Sequence, residues 1–323
     1  MADGSQRGEF QLINELLVPL AAGQTGAAGL SNDAATLDVP EGRQLVLTKD
    51  MMVAGVHFLP DDPPDLIARK LLRVNLSDIA AMGAKPEAYM LGLALPVEIN
   101  DRWLESFTGG LAQDQQTFGI GLLGGDTVSS PGPLTLSVTA LGTVEQGRAI
   151  SRCGAQPGDK LVVTGTIGDA ALGLQVLRGG IEDPSGYLAD RYRLPRPRLH
   201  IGQAAVGIVS AGLDISDGLV ADVSHLCAVS GVGAVIHADQ IPLSPQAEAA
   251  LEADPTLLET ILTGGDDYEL VFAVPPSQSD RFIALQKSAH CSVIGEVVRT
   301  PGVTVVNHFG ASVSLKSSGF RHR

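Results

Sequence analysis

Several stretches of the chain carry apolar residues at steps of three or four positions, which is the spacing of one buried helix face. Leu72, Leu76, Ile79 and Gly83 repeat in this way around Asp78. Short apolar runs bounded by Gly, Pro, Ser or Asp predict β-strands between the helices. Helices are predicted at residues 9–21, around Asp78, and at 103–118, 170–177, 200–211, 213–227 and 244–262. Strands are predicted at residues 44–50, 88–95, 122–127, 134–143, 160–165, 232–237 and 270–274, and a loop at 187–197.

The order of these elements, in which helices and strands alternate and strands are often linked as hairpins, predicts an α+β sheet layered with helices. The segment 129–133, Ser-Ser-Pro-Gly-Pro, is the turn of one such hairpin. At 323 residues the chain is about twice as long as a typical domain, so two domains are expected. The polar, glycine-rich segment 146–159 is the predicted boundary, with one domain at residues 1–147 and the other at 148–323.

Asp78 lies within an otherwise apolar helical stretch, where a carboxylate has a poor helix propensity and a high desolvation cost. Such a carboxylate requires either an exposed position or a cation. Asn75, one turn earlier, can share its face. The alternative is that Ser77 or Asp78 caps a helix beginning at Ile79, although Gly83 would leave that helix about one turn long.

The composition narrows the class of partner. The chain has 36 acidic and 22 basic residues and a net charge of −14, which argues against nucleic acid. A small phosphorylated ligand is compatible with this charge where metal ions supply the counter-charge. The three isolated cysteines predict neither a disulfide framework nor a zinc site and favour a reducing compartment. Without a signal peptide core or a membrane span, a cytoplasmic protein that has no membrane partner is expected.

None of the common nucleotide-binding and zinc-binding sequence signatures fits the chain clearly. The sequence has no Gly-x-x-x-x-Gly-Lys-Ser/Thr segment, which excludes a P-loop. Residues 119–124 match the dinucleotide fingerprint in their letters, but they follow a helix and lead into a strand, the reverse of that fold. No His-Glu-x-x-His segment is present, so zinc is not expected. At residues 165–168, between a strand and a helix, backbone amides could cradle a phosphate, and tight packing explains the glycines equally well.

Several isolated aspartates lie beside Gly, Ser, Thr or Asn at the ends of strands or the starts of helices. Each alone could be a turn former or a helix cap. If they converge, cations must relieve their mutual repulsion, and all-oxygen ligands favour Mg²⁺. A magnesium cluster on an acidic protein without a P-loop suits a nucleoside triphosphate together with a second anion. The residues are Asp33, Asp50, Asp78, Asp126, Asp214 and Asp217.

A set of motifs in a fixed order resembles the thiamine-monophosphate kinase family, part of the aminoimidazole-ribonucleotide-synthetase-like (PurM-like) ATP-binding superfamily. The motifs are 75–86 (Asn-Leu-Ser-Asp-Ile-Ala-Ala-Met-Gly-Ala-Lys-Pro), 124–127 (Gly-Gly-Asp-Thr), 147–152 (Gly-Arg-Ala-Ile-Ser-Arg), 213–219 (Leu-Asp-Ile-Ser-Asp-Gly-Leu) and 264–270 (Gly-Gly-Asp-Asp-Tyr-Glu-Leu). The resemblance extends from residue 8 to residue 320. It implies a two-domain fold, in which an N-terminal α+β domain forms a homodimer through its sheet and precedes a C-terminal α/β domain. The active site would lie between the domains.

The same resemblance implies phosphoryl transfer from ATP to thiamine monophosphate with several Mg²⁺ ions. The substrate phosphate is already a nucleophile, so catalysis requires positioning and charge neutralisation rather than a base. Asp50, Asp78 and Asp126 would be catalytic in this sense. The magnesium positions are Asp33, Thr48, Lys49, Asp50, Asp78, Asp126, Asp214 and Asp217. The ATP positions are Gly125, Asp126, Arg152 and Ser216, and the positions that hold thiamine are His57, Asp266 and Phe320.

Three positions depart from the family pattern. Asn32 replaces a carboxylate, Lys49 replaces a threonine beside the strand-end aspartate, and Asp266 replaces a longer glutamate. Lys49 could displace a magnesium ion with its ammonium group, or it could turn outward and leave only its carbonyl in the site. The number of ions and the reach of Asp266 therefore stay open.

Two alternative functions also stay open. Another superfamily enzyme, such as an aminoimidazole ribonucleotide synthetase, a selenophosphate synthetase or a hydrogenase-maturation factor, would use the same fold. The last two would require a reactive cysteine or selenocysteine near a terminus, and the chain ends Gly-Phe-Arg-His-Arg. The departures at Asn32 and Lys49 suggest instead a non-catalytic protein that binds a nucleotide or thiamine phosphate.

Overall fold

The computed structural model describes residues 7–279, 281–282, 290–317 and 319–320. The chain forms two compact units, each with its own β-sheet. The first unit is Met1–Ile79 with Lys85–Gln146, and the second is Ala80–Ala84 with Gly147–Arg323.

The first unit contains a four-stranded sheet. Its strands are β1 (Arg43–Val53), β2 (Lys85–Leu95), β3 (Gly121–Ser129) and β4 (Thr135–Glu145), in the order β1-β4-β2-β3. Strand β4 is antiparallel to β1 and to β2, whereas β3 is parallel to β2. The helices are α1 (Glu9–Leu12), α2 (Pro64–Ala81) and α3 (Asp101–Phe118), and the short helical turns Ile13–Leu17, Val18–Ala21 and Thr25–Leu30 follow α1.

One face of this sheet is covered by helix. Leu136, Val138 and Ala140 alternate along β4, so they point to the same face, and they are buried. Helix α2 lies on that face, because a Cβ atom added at Gly142 would lie 3.0 Å from Cγ2 of Ile79. Strand β1 and helix α2 are therefore close enough for their polar side chains to meet.

The second unit contains a six-stranded sheet. Its strands are β5 (Lys160–Thr164), β6 (Ala211–Asp214), β7 (Gly233–His237), β8 (Leu270–Val274), β9 (Cys291–Val298) and β10 (Gly302–Val306), in the order β10-β7-β9-β5-β8-β6. Only β10 and β7 are parallel among these described pairs. The helices are α4 (Asp169–Leu177), α5 (Tyr187–Arg193), α6 (Leu199–Ala205), α7 (Leu219–Ser230), α8 (Pro245–Ala253) and α9 (Leu257–Thr263).

Both faces of the second sheet are buried, because alternate residues of its central strands enter two different hydrophobic clusters. Leu161 and Val163 of β5 pack in one cluster, and Val162 packs in the other. In β8, Val271 and Phe272 divide in the same way. A strand buried on both faces must be apolar throughout, which is why these strands are recognisable as continuous apolar runs.

Sheets layered with helices confirm the predicted α+β class, but the hairpin prediction is wrong. No two consecutive strands form an antiparallel hairpin in the described part of the chain. The turn after β3 leads to β4, which lies between β1 and β2 instead of beside β3. A turn sequence specifies that the chain reverses, whereas the neighbouring strand is chosen by the burial of side chains that are distant in sequence.

Several local predictions are also corrected. The segment 187–193, predicted as a loop, is α5, because Leu188, Arg191 and Tyr192 form a buried face that its polar composition concealed. The helix predicted to reach residue 211 ends at Ala205.

Residues 211–214, which the sequence assigned to two helices, form β6, and α7 begins only at Leu219. The cap alternative at Ser77 or Asp78 is wrong, since α2 begins at Pro64. None of the helices in the described ranges has both the length and the hydropathy that a membrane crossing requires.

Candidate functional site

Strand β1 and helix α2 bring together a hydroxyl group and two carboxylates. Thr48 and Asp50 lie two residues apart on β1, so their side chains point to the same face, toward α2. The hydroxyl of Thr48 donates a hydrogen bond to Oδ2 of Asp78 across 2.5 Å. Asn75 is fully buried, and its Oδ1 accepts the backbone N–H of Asp50 at 3.1 Å. This amide therefore fixes the position of the strand that carries both ligand candidates.

The two carboxylates repel one another. Burial, together with the negative charge of Asp78, raises the pKa of Asp50 to about 6. A cation between such groups would stabilise both in their ionised form. Carboxylate and hydroxyl oxygens are the ligands that Mg²⁺ prefers, so this donor set fits magnesium.

Lys49 occupies the opposite face of β1. Its ammonium group donates a hydrogen bond to Oγ of Ser137 on the neighbouring strand, and Leu47 and Met51 are exposed on the same face. Of the two arrangements that the sequence left open for Lys49, the structure has the side chain turned outward, away from Asp50 and Asp78.

A separate cavity of about 200 Å³ lies along β3, the other edge of the sheet. Asn32, Asp33, Gly125 and Asp126 contribute to its lining. Glycine is required at position 125, because a Cβ atom there would lie 1.8 Å from the carbonyl oxygen of Leu91. A backbone segment without a side chain and two exposed carboxylates therefore line the same cavity, a donor set that suits a phosphate–magnesium complex.

The sheet keeps Asp50 and Asp126 apart within this unit. Asp126 is in register with Gly92, which is in register with Ser137 and through it with Met51, so Asp126 shares the face of Met51. Asp50 is on the opposite face and at the opposite edge, roughly 14 Å away at the usual spacing of strands. Among the described residues, no group of three or more His, Cys, Asp or Glu side chains is arranged to hold a metal ion.

His57 follows β1 in a loop that a buried lysine holds. Its Nδ1 accepts the backbone N–H of Val53 at 3.1 Å, and its carbonyl oxygen accepts a hydrogen bond from Nζ of Lys70 at 3.0 Å. With Nδ1 used as an acceptor, the neutral imidazole carries its proton on Nε2. Nε2 is therefore the donor atom of the His57 ring.

In the second unit, the loop after β6 brings together four of the predicted positions. The carbonyl oxygen of Ser216 accepts the backbone N–H of Asp266 at 2.9 Å. The carbonyl oxygen of Asp217 accepts the backbone N–H of Phe320, also at 2.9 Å. Backbone hydrogen bonds thus link Asp266 and Phe320 to the adjacent residues Ser216 and Asp217, and half of the Phe320 surface is exposed.

Asp222 holds this loop and was missed in the sequence. Its Oδ2 accepts the backbone N–H groups of Asp217 at 3.0 Å and Gly218 at 3.2 Å. Burial raises the pKa of Asp222 to about 7, although these N–H groups oppose the rise. Its position in the first turn of α7, where carboxylates are favoured, was the available signal.

Two other predicted positions lie elsewhere in this unit. Asp214 is buried at the end of β6, in register with Leu270. Arg152 is exposed, and its carbonyl oxygen accepts a hydrogen bond from Ser230 at the last residue of α7. The backbone of Arg152 is therefore near the end of α7 opposite to the loop that carries Ser216.

The phosphate cradle suggested for residues 165–168 is already filled by the chain itself. The carboxylate of Asp267 accepts the backbone N–H of Gly168 at 2.7 Å and of Ala170 at 3.2 Å. These are the free N–H groups at the start of α4 to which an anion would bind. The tight-packing alternative therefore describes this segment.

The chain matches two family models. Residues 31–144 match the N-terminal domain of AIR synthase related protein, and residues 156–307 match its C-terminal domain. The chain is 44% identical over 319 residues to the thiamine-monophosphate kinase of Caulobacter vibrioides, covering 97% of this chain and 90% of that relative. It is 42% identical over 273 residues to the thiamine-monophosphate kinase of Salmonella typhimurium, covering 83% of each.

Solved structures agree with these matches. The crystal structure of thiamine-monophosphate kinase from Stenotrophomonas maltophilia has a TM-score of 0.80 and 38% identity, covering 88% of this chain and 91% of that one. AaThiL complexed with AMPPCP and TMP has a TM-score of 0.78 and 31% identity, covering 98% and 97%. Hydrogenase maturation protein HypE from E. coli has a TM-score of 0.78 at 24% identity, covering 96% and 98%, which shows a shared fold only.

Proposed function

We propose, from the premise that the chain belongs to the thiamine-monophosphate kinase family, that it transfers a phosphoryl group from ATP to thiamine monophosphate and so forms thiamine diphosphate and ADP. The observation that carries this proposal is the 44% identity to a thiamine-monophosphate kinase across 97% of the chain. The likeness to AaThiL complexed with AMPPCP and TMP supports the same pair of substrates.

The chemistry requires two anions to approach one another. Their repulsion is large at short distance unless positive charge lies between or beside them. The acceptor phosphate oxygen is a nucleophile without deprotonation, so the protein must position the two substrates and neutralise charge. Acidic side chains can do this only through cations, which agrees with the pair of repelling carboxylates Asp50 and Asp78.

Magnesium is the cation that fits these residues, because their donor atoms are all oxygens. Bound at this site, it would neutralise charge on the phosphate groups during transfer. Asp50 and Asp78 at this pair, and Asp126 at the separate cavity along β3, are the proposed catalytic residues in this sense. The proposed magnesium ligands are Asp33, Thr48, Lys49 through its carbonyl oxygen, Asp50, Asp78, Asp126, Asp214 and Asp217.

The remaining positions are assigned to the two substrates. The cavity that Gly125 and Asp126 line supports an ATP contact there, and Arg152 and Ser216 are proposed to contact ATP as well. The proposed thiamine contacts are His57, Asp266 and Phe320. Phe320 offers an exposed aromatic face for the cationic thiazolium ring, and His57 offers its Nε2 proton.

The exposed face of the first sheet supports a homodimer. Leu47, Met51, Met90 and Val128 lie on this face and are 42% to 60% exposed. A grouped apolar surface of this kind is typical of an interface. Met51→Glu should convert the dimer to a monomer in sedimentation velocity, while Val97→Glu, at an exposed apolar residue outside the sheet, should not. A Met51→Glu variant that stays dimeric would reject this interface.

A cytoplasmic location is inferred because the three cysteines form no disulfide; Cys227 and Cys291 are buried and Cys153 is exposed. The acidic net charge of −14 supports small-molecule substrates rather than nucleic acid.

A direct assay tests the proposed activity. ADP release is followed with ATP, Mg²⁺ and one acceptor at a time: thiamine, thiamine monophosphate or an aminoimidazole precursor. Of the three acceptors, only thiamine monophosphate is expected to give turnover. Asp78→Ala should abolish this turnover, whereas Asp61→Ala, at an exposed carboxylate, should retain it. Tight ATP binding without product from any acceptor would support the non-catalytic alternative, and turnover with the aminoimidazole precursor would support another superfamily activity.

A further inference from the structure

The segment 264–269 of the second unit alternates between two environments. The side chains of Asp266 and Tyr268 are half-buried, whereas those of Asp267 and Glu269 are buried. Asp266 has a φ of +74° and Tyr268 has a φ of +51°. This left-handed backbone conformation is unfavourable for residues other than glycine. Such a conformation persists only where the surrounding structure enforces it.

Glu269 is enclosed by cationic and hydroxyl donors. Its carboxylate accepts hydrogen bonds from Oγ1 of Thr164 at 2.6 Å and from Nε and Nη2 of Arg198 at 2.6 Å and 2.5 Å. It also accepts one from Nη2 of Arg191 at 3.0 Å. These charged hydrogen bonds fix the carboxylate in position from two sides.

Asp267 is fixed from a different direction. Its carboxylate is bound by the first N–H groups of α4, as described above, and its carbonyl oxygen accepts a hydrogen bond from Nη2 of Arg191 at 3.5 Å. Arg191 belongs to α5 and is 2% exposed. One guanidinium group therefore contacts both buried residues of the segment.

Burying these charged groups contributes little to the stability of the fold. A buried ion pair rarely stabilises a fold more than well-packed apolar residues would. Nε and Nη1 of Arg191 also have no hydrogen-bond partner within the described ranges, and Nε lies 3.7 Å from Oδ2 of Asp169. What the arrangement does provide is a fixed orientation, because it clamps every second residue of a strained segment.

We propose that Arg191 is a positioning residue: together with Arg198, Asp267 and Glu269 it forms a buried clamp that holds Asp266 and Tyr268 in their left-handed backbone conformation and thereby sets the position of the Asp266 carboxylate. This inference rests on the proposed function, since Asp266 is there assigned to the thiamine substrate. Arg191 does not touch the substrate, and its effect on the reaction passes through Asp266.

Amide hydrogen exchange tests the clamp without any reference to activity. The backbone N–H groups of Asp266 and Tyr268 donate to Ser216 and Ile215 at 2.9 Å and 2.8 Å, so their exchange reports whether the segment opens. In Arg191→Met both amides should exchange about tenfold faster, and Arg191→Lys, which keeps a cation, should restore most of the protection. Amides of α3, in the first unit, serve as the internal reference. Unchanged exchange at both positions in Arg191→Met would overturn the clamp.

Steady-state kinetics then test whether the clamp acts through Asp266. In Arg191→Met the KM for thiamine monophosphate should rise about tenfold while the KM for ATP stays unchanged. In an Asp266→Asn background the Arg191→Met change should add little, because a residue that acts through another is non-additive with it. Equal losses for both substrates, or additive losses in the double variant, would show a purely structural role and overturn the positioning inference.

The hydrogen-exchange experiment and the kinetic experiment together separate this inference from the proposed function. Absence of kinase turnover in the unaltered protein would reject the activity and with it the kinetic role, while the exchange result would still decide whether the clamp exists. In Arg191→Met each carboxylate of the clamp keeps at least two of its hydrogen bonds, so the variant should fold. If it does not, Arg198→Lys is measured in the same way, since Arg198 is partly exposed and contacts the same carboxylate.

Discussion

The hydroxyl group of Thr48 on β1 donates its hydrogen bond to the carboxylate of Asp78 on α2 across 2.5 Å. This contact joins two residues that are 30 positions apart, one on a strand and one on a helix. It orients a carboxylate that is proposed to hold magnesium. The charge of that carboxylate also raises the pKa of the partly buried Asp50.

Loss of this hydroxyl should impair catalysis more than stability. We expect Thr48→Val to lower kcat/KM about tenfold and to raise the Mg²⁺ concentration needed for half-maximal rate, because Asp78 loses its donor. The measurement is ADP release during a Mg²⁺ titration. Thr48→Ser should retain most of the activity, and Thr117→Val, at an exposed threonine of α3, should be neutral. A Thr48→Val enzyme with an unaltered Mg²⁺ requirement would contradict the ligand assignment.

Truncation of Asn75 should destabilise the first unit. Its side chain accepts the N–H of Asp50 in a partly buried hydrogen bond and donates to the carbonyl oxygen of Leu71 in a buried one. Asn75→Ala removes both hydrogen bonds, and with them the acceptor of the Asp50 N–H, and should lower the free energy of unfolding by about 2 kcal/mol. Urea denaturation measures this change, with Asn32→Ala, at an exposed asparagine, as the matched control. Equal stability of the two variants would contradict the assigned role of Asn75.

Glycine at position 165 is required by the packing of the buried clamp. Its φ is +57°, and an added Cβ atom would lie 2.3 Å from Oε1 of Glu269 and 2.4 Å from Nη2 of Arg198. Gly165→Ala should therefore lower the free energy of unfolding by about 3 kcal/mol. Gly179 has a φ of +75° with no atom within 4 Å, so Gly179→Ala measures the backbone strain alone, about 1 kcal/mol. The free energies of unfolding of both variants are measured by thermal or urea unfolding. Equal losses in the two variants would rule out a steric role at position 165.

Asp267 should make stability dependent on pH. Burial raises the pKa of its carboxyl from 3.8 to about 8, although the N–H groups of Gly168 and Ala170 and the charge of Arg191 oppose the rise. Because the folded state then holds this proton more tightly than the unfolded state, the associated stability is present at low pH and is lost as the pH rises toward about 8.

Asp267→Asn should remove this component, so its free energy of unfolding should fall less steeply between about pH 5 and pH 8 than that of the unaltered protein. Urea unfolding at several pH values measures the two slopes. Asp61→Asn, at an exposed carboxylate, controls for the loss of one acid and should keep the original slope. Identical slopes for Asp267→Asn and the unaltered protein would contradict the shifted pKa.

The family and its motif positions were accessible from the sequence. Short motifs such as 75–86 and 264–270 carry residue types in a fixed order. The matches to AIR synthase related domains and to thiamine-monophosphate kinases confirm the predicted family. The individual roles of Asp33, Arg152 and the other site residues stay predictions. Asp222 and Arg191 were missed, because their importance lies in contacts with segments distant along the chain.

Helices such as α3 and buried strands such as β8 were determined by the sequence itself, since the period of their apolar residues is set by local backbone geometry. Tertiary structure alone decided which strands are neighbours, that Lys49 turns away from Asp50, and that Asp267 fills the start of α4. These outcomes depend on strand register and on the burial of charge. Both are settled between segments far apart in sequence, where no local pattern records the partner.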